Sequence, residues 1–143
     1  MSQIIAKIKN FKVKPRIKMD SINKEAKIIA EEISNFKTKI NRLEKDEIID
    51  EIQNLNNTFQ NKIDLFPHFK KYWLFLYCII IYDVSIKDDI NDDMDTKDIK
   101  IKLIELQNDK ENLSIFKSNL RLYLTSLEKF LLRKDDKKHL LYY

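Results

Sequence analysis

Not one of the 143 residues is glycine. Average usage would supply roughly ten in a chain of this length. Tight hairpin turns, bulges and strained loops draw on glycine for positive φ. Phosphate-cradling loops, dinucleotide fingerprints and nucleophile elbows need it for close backbone approach. Helices need it least, because Asn can stand in at a C-terminal cap. The absence therefore points to an all-α protein and excludes those nucleotide-binding and hydrolase motifs together.

Apolar spacing supports the same fold class. Ile22, Ala26, Ile29, Ile33, Phe36, Ile40 and Leu43 follow one another at intervals of four and three, a heptad stripe. The stripe can serve an internal core or an oligomer contact. Asp20 or Ser21 is the expected N-cap of this helix. Ile48, Ile52, Leu55 and Phe59 restart the pattern behind Asp46 as cap, as a second helix or a kinked continuation. Pro67 suits the first position of a third helix running to about Tyr82. Being apolar on nearly every side, that helix is expected to be the most buried element. A strand over 74–81 is the competing reading of so short an apolar run.

Thr96 or Asp95 should cap a helix over 97–108, although 99–105 also alternates as a strand would. A last helix is expected over roughly 110–134, with Leu113, Phe116, Leu120, Leu124, Leu127 and Leu131 on one face. The expected architecture is an irregular bundle of about five helices spanning 20–143, preceded by a basic, extended N-terminal arm, 1–19.

The arm carries the clearest functional signal. Lys7, Lys9, Lys12, Lys14, Arg16 and Lys18 are the only charged side chains among the first 18 residues. The 27 basic residues of the whole chain leave 21 for the remainder, against all 23 acidic ones, a net of −2. Phe11, Val13, Pro15 and Ile17 alternate with the cations, and Pro15 argues against a continuous helix. Such an arm can track a nucleic-acid backbone or dock on an acidic protein surface with Phe11 as an anchor. No zinc-finger or RNA-recognition signature accompanies it, so contact with nucleic acid would be to phosphates.

Elsewhere the chemistry is sparse. One cysteine, Cys78, and two histidines cannot assemble a standard structural zinc site, and no disulfide can form within the chain. The segment 83–98 holds seven Asp against two Lys. Asp89, Asn91, Asp93 and Asp95 alternate like calcium-loop ligands, but Met94 stands where glycine should turn the chain and Lys100 where a Glu should close the shell. A solvated acidic loop is the better reading, and no metal or cofactor is expected. Tyr72, Trp73, Phe75, Tyr77 and Tyr82 are read as core residues whose tyrosine hydroxyls reach the surface.

Arg133 and His139, in "RKDDKKH", lie at the spacing of an Arg-x(4–6)-His motif. The seven residues resemble the motif of HEPN-domain ribonucleases, themselves small helical bundles. That resemblance implies a cation for the phosphate and a general acid–base group for RNA cleavage.

Three functions follow as expectations. The first is a non-enzymatic protein that holds nucleic-acid phosphates through its arm, as a small helical subunit of a nucleoprotein assembly. The second is a helical bundle that binds and modulates a protein partner, encoded by a phage, virus or mobile element, in keeping with a composition rich in Ile, Lys, Asn and Asp. The third is a HEPN-like ribonuclease. No signal peptide is visible. The longest apolar stretch, about eleven residues, falls short of the roughly twenty a spanning helix needs. A cytoplasmic, reducing location without membrane contact is expected.

Overall fold

A computed structural model describes the backbone over residues 2–85 and 96–132 and the side chains from Asp20 onward within those limits. Its elements are α1 (Ser2–Lys39), α2 (Lys45–Phe59), α3 (Pro67–Ile81), α4 (Lys97–Asn108) and α5 (Leu113–Leu132). Short 3-10 turns over Ile40–Arg42 and Gln60–Leu65 link the first three. Among the described residues there is no strand, so 74–81 and 99–105 are both helical.

The heptad stripe is spent on the internal core. Ile22, Ala26, Ile29, Ile33, Phe36 and Ile40 are all buried within the single chain, with Leu43 half-buried beside them. Each buried Ile or Phe contributes roughly 1.5–3 kcal/mol relative to exposure. An oligomer contact through the same residues would have to give that up.

The partner of α1 is α5, and the two run antiparallel. Lys37 Nζ reaches Glu128 at 2.8 Å and Thr125 Oγ1 at 3.2 Å, while Lys117 Nζ donates to the Asn41 carbonyl at 3.2 Å. Helices α4 and α5 form a hairpin, where Asn119 Nδ2 donates to Asp109 Oδ2 at 3.2 Å. Flanked in this way, α5 buries Phe116, Leu120, Tyr123, Leu124, Leu127, Phe130 and Leu131. It is the hub, and the expectation that α3 would be the most buried element is corrected. Apolar composition measures what a helix could bury, whereas the number of neighbours decides what it does bury. Helix α3 commits Phe69, Tyr72, Trp73, Leu76 and Ile79 to the core and leaves Leu74 exposed.

Local chemistry sets the boundaries. Helix α2 opens on a capping box: Glu47 Oε1 accepts from the Glu44 N–H at 2.9 Å, and the Glu44 side chain accepts from the Glu47 N–H. The cap is thus Glu44 rather than Asp46, because the reciprocal pair satisfies two orphan donors where Asp46 could satisfy one. Pro67 is the first residue of α3, as expected. Helix α5 starts at Leu113, later than expected, because Asn112 Oδ1 accepts from the Ile115 N–H at 3.2 Å and caps it.

The N-terminal segment differs from expectation. Its backbone is helical from Ser2, continuous with the helix that carries the stripe, instead of extended. The two-residue alternation over 11–17 competes with a helical repeat in which Ile4, Ile8, Phe11, Pro15 and Met19 share the register of Ile22. With no glycine to break the chain and Lys, Ala and Gln among good helix formers, the 3.6-residue repeat prevails. Pro15 removes one i→i−4 bond without ending the helix.

Two residues take the role glycine usually fills. Asp83 adopts φ 54° after α3, and the Val84 N–H turns back to the Cys78 carbonyl at 3.1 Å. Gln60 adopts φ 42° and ψ −122° after α2, a region costly for a residue with a Cβ. Gln60→Gly is therefore expected to stabilise the fold by about 1–2 kcal/mol. A urea midpoint that fails to rise would show that the turn stores no such strain.

The tyrosines correct a further expectation. Tyr72 and Tyr123 are completely buried, hydroxyls included. Tyr123 Oη donates to the Tyr72 carbonyl at 2.6 Å, while the Tyr72 hydroxyl has no hydrogen-bond partner among the described residues. Burial, and secondarily the nearby Tyr72, raise the Tyr123 pKa well above its ordinary value. Because the folded value lies above the unfolded one, the resulting stability is complete below about pH 10 and is lost as pH climbs towards the folded pKa. In an alkaline titration followed at the phenolate absorbance, Tyr123 should ionise only with unfolding, and Tyr123→Phe should move the alkaline midpoint upward. Ionisation of Tyr123 in a still-folded protein would contradict this.

Candidate nucleic-acid interface

Lys7, Lys9, Lys12, Lys14, Arg16, Lys18 and Phe11 all fall on the backbone of α1. At 1.5 Å per residue, the segment 2–19 extends roughly 27 Å along the helix axis. A period of 3.6 divides the six cations into two registers. Lys7, Lys14 and Lys18 share one, and Lys9, Lys12 and Arg16 the other.

The second register continues down the whole helix. At steps of three and four it passes through Asp20, Asn23, Lys27, Ala30, Ser34 and Lys37, and then reaches Asn41 in the following turn. Glu25 and Glu32 lie off this edge, whereas Glu31 stands on it one turn from Lys27, and Lys62 pairs with Glu25 at 3.5 Å. Lys27 is exposed. Lys37 is occupied by Glu128.

Where the edge meets α5 there is an open groove of about 670 Å³, lined by Asn41, Leu113, Ser114, Lys117, Ser118 and Arg121. No carboxylate lines it. Ser114, Lys117, Ser118 and Arg121 recur at steps of three, one and three, which brings two cations and two hydroxyls to one face of α5. Arg121 is half-buried and makes no ion pair with a described residue. Sequence reading missed this groove. The spacing "SxxKSxxR" was available as a signal, but Asn41, which completes the groove, lies some seventy positions away in sequence.

A second cavity, about 480 Å³, has Ile49, Ile79, Ile80 and Phe116 as its apolar lining, with Lys45, Asp83, Lys110 and Glu111 around them. Lys110 is hydrogen-bonded and ion-paired to Asp83. That hydrogen bond first, and the lysine charge second, hold the Asp83 carboxyl below its ordinary pKa. The cavity therefore presents an internally neutralised rim.

The remaining sequence candidates are readily placed. His68 stacks on Phe130, with ring centroids 5.7 Å apart and planes 18° from parallel. Cys78 is half-buried in α3. Arg133 and His139 lie outside the described residues, as do Asp89, Asn91, Asp93 and Asp95, whereas Lys100 is buried in α4. Among the described residues no three His, Cys, Asp or Glu side chains come together as a metal site, and no helix is long and apolar enough to cross a membrane.

Fold and surface together define a class: an all-α bundle whose longest helix carries a cationic N-terminal half. Comparison of the chain with protein-family models, curated proteins and solved structures finds no match.

Proposed function

We propose that the protein is a non-enzymatic nucleic-acid-binding module, acting in a larger nucleoprotein assembly in the reducing interior of a cell. It engages phosphates through Lys7, Lys9, Lys12, Lys14, Arg16 and Lys18. The observation that carries the reading is the concentration of six cations and no carboxylate in the first 18 residues, ahead of a remainder with a net charge of −2. Neutralising six phosphates releases condensed counterions, so affinity should fall with salt at a log–log slope of about −5 on duplex DNA. Little dependence on base sequence is expected, because phosphate contacts position a protein without specifying a site. Fluorescence anisotropy with duplex and single-stranded probes over a salt series tests this. A flat salt response, or no affinity at low salt, would remove the proposal.

A further inference from the structure

We infer that the groove where Asn41 meets α5 is a binding site for a phosphate monoester, held as a dianion between Lys117 and Arg121. The site is built by α5 and the turn after α1, and it does not depend on the N-terminal cations.

Charge sets this groove apart from the other described cavities. In the cavity beside α3, Lys110 is paired with Asp83, and Lys45 and Glu111 offset each other within one lining. In a further cavity of about 550 Å³ at the α2–α3 junction, Lys70 is paired with Asp64 and the remaining polar groups are carboxamides. Both linings are neutral in sum. The groove has two cations and no carboxylate, a net of +2. The one carboxylate of α5, Glu128, is taken by Lys37 at 2.8 Å.

The donors are also arranged for one oxyanion group. At 3.6 residues per turn, Ser114, Lys117, Ser118 and Arg121 fall within an arc of about 100° on α5. Lys117 Nζ donates to the Asn41 carbonyl at 3.2 Å. That acceptor is neutral, so it steadies the ammonium without cancelling its charge and leaves two of its three protons for a ligand. The Arg121 guanidinium has no ion-pair partner among the described residues, and its fork matches two phosphate oxygens at once. Ser114 and Ser118 are exposed and add hydroxyl donors without adding charge. The positive end of the α5 dipole lies at the same place and adds to what the side chains provide.

The lining also selects the form of the ligand. A monoester carries about −1.5 to −2 at neutral pH, which matches two cations, whereas a diester carries a single charge and leaves one cation unmatched. No aromatic ring lines the groove and Leu113 is its one apolar member, so recognition stops at the phosphate and the rest of the ligand projects into solvent. A small phosphate ester and the phosphorylated end of a strand share this chemistry.

An NMR titration of the full-length, ¹⁵N-labelled protein with methyl phosphate tests the site. Saturable shifts are expected at the amides of Ser114, Lys117, Ser118 and Arg121. Arg121→Gln and Lys117→Gln should each weaken binding roughly 10-fold, and Ser114→Ala/Ser118→Ala together roughly 3-fold. Dimethyl phosphate, a monoanion, should bind at least ~10-fold more weakly than methyl phosphate. Replacing the six N-terminal cations by glutamine should leave the methyl phosphate affinity unchanged. Because Lys117→Gln also loses the contact with Asn41, Arg121→Gln at an unchanged Tm is the deciding variant. If it binds methyl phosphate like the parent, or if the shifts fall elsewhere, the site is overturned. Equal affinity for dimethyl phosphate overturns the dianion assignment, and loss of binding in the N-terminal variant gives the phosphate to those cations instead. A short single strand with and without a 5′-phosphate separates the sources: a gain from the phosphate that Arg121→Gln removes assigns the site to strand ends, and no gain, with methyl phosphate still bound, assigns it to small esters. The N-terminal reading stands or falls separately, on the salt series.

Discussion

Replacing Trp73 by alanine is expected to cost about 3–5 kcal/mol and, for a domain of this size, to lower the Tm by roughly 10–15 °C. Trp73 is completely buried and stands at the junction of α2 and α3. The edge of Phe59 meets it with ring centroids 4.9 Å apart, and Phe69 lies nearly parallel at 6.3 Å. Its indole N–H donates to Asn56 Oδ1 at 2.9 Å. Truncation removes the largest buried side chain, leaves a cavity that Phe59 and Phe69 can only partly fill, and deprives Asn56 of its donor. Phe59 has little freedom to follow, because the strained Gln60 comes next. Trp73→Phe keeps a ring and loses chiefly the hydrogen bond, so about 1–2 kcal/mol is expected. Thermal and urea unfolding of the two variants separates the cavity from the polar contact. A loss below about 1 kcal/mol for alanine would mean that this aromatic cluster is not close-packed.

The parts of the fold legible in the sequence were those written in short-range periodicity. The Ile22–Leu43 stripe could be read because its repeat is sustained, and Pro67 because proline at a helix start has a local cause. What could not be read depended on neighbours far away in sequence. Helix α3 is more apolar than α5, yet α5 is the hub, since its position between α1, α3 and α4 is a property of the assembled bundle. The Tyr72 hydroxyl was expected at the surface because tyrosine tips usually find water, and here Phe75 and Phe130 pack on the ring at 5.6 and 5.9 Å. In the N-terminal segment two periodicities overlapped, and Pro15 tipped the reading toward an extended chain. The cationic cluster was legible because it is a matter of composition. The groove where Asn41 meets α5 was not, because Lys117 and Arg121 sit in a stretch of balanced charge and gain their setting from Asn41.

Replacing Lys7, Lys9, Lys12, Lys14, Arg16 and Lys18 together by glutamine is expected to weaken nucleic-acid binding at least ~10³-fold at moderate salt and to remove most of the salt dependence. The electrostatic part of the affinity scales with the number of phosphates neutralised, and these six residues are the whole of the excess positive charge. A helical backbone strengthens the expectation. An extended arm that became ordered on binding would lose roughly 1–2 kcal/mol per residue in backbone entropy, offsetting much of its contact energy, whereas a backbone that is already α-helical from Ser2 has less of that entropy left to lose. Glutamine has a helix propensity close to that of lysine and arginine, so helicity by circular dichroism should match the parent and isolate charge as the variable. Duplex DNA, single-stranded DNA and RNA should all lose affinity together, since phosphate is what they share. Loss on one of them alone would assign these residues to base or sugar recognition. If no nucleic acid binds the parent, while an acidic protein surface binds it and loses the six-fold variant, the cations serve a protein partner and the phosphate reading is wrong.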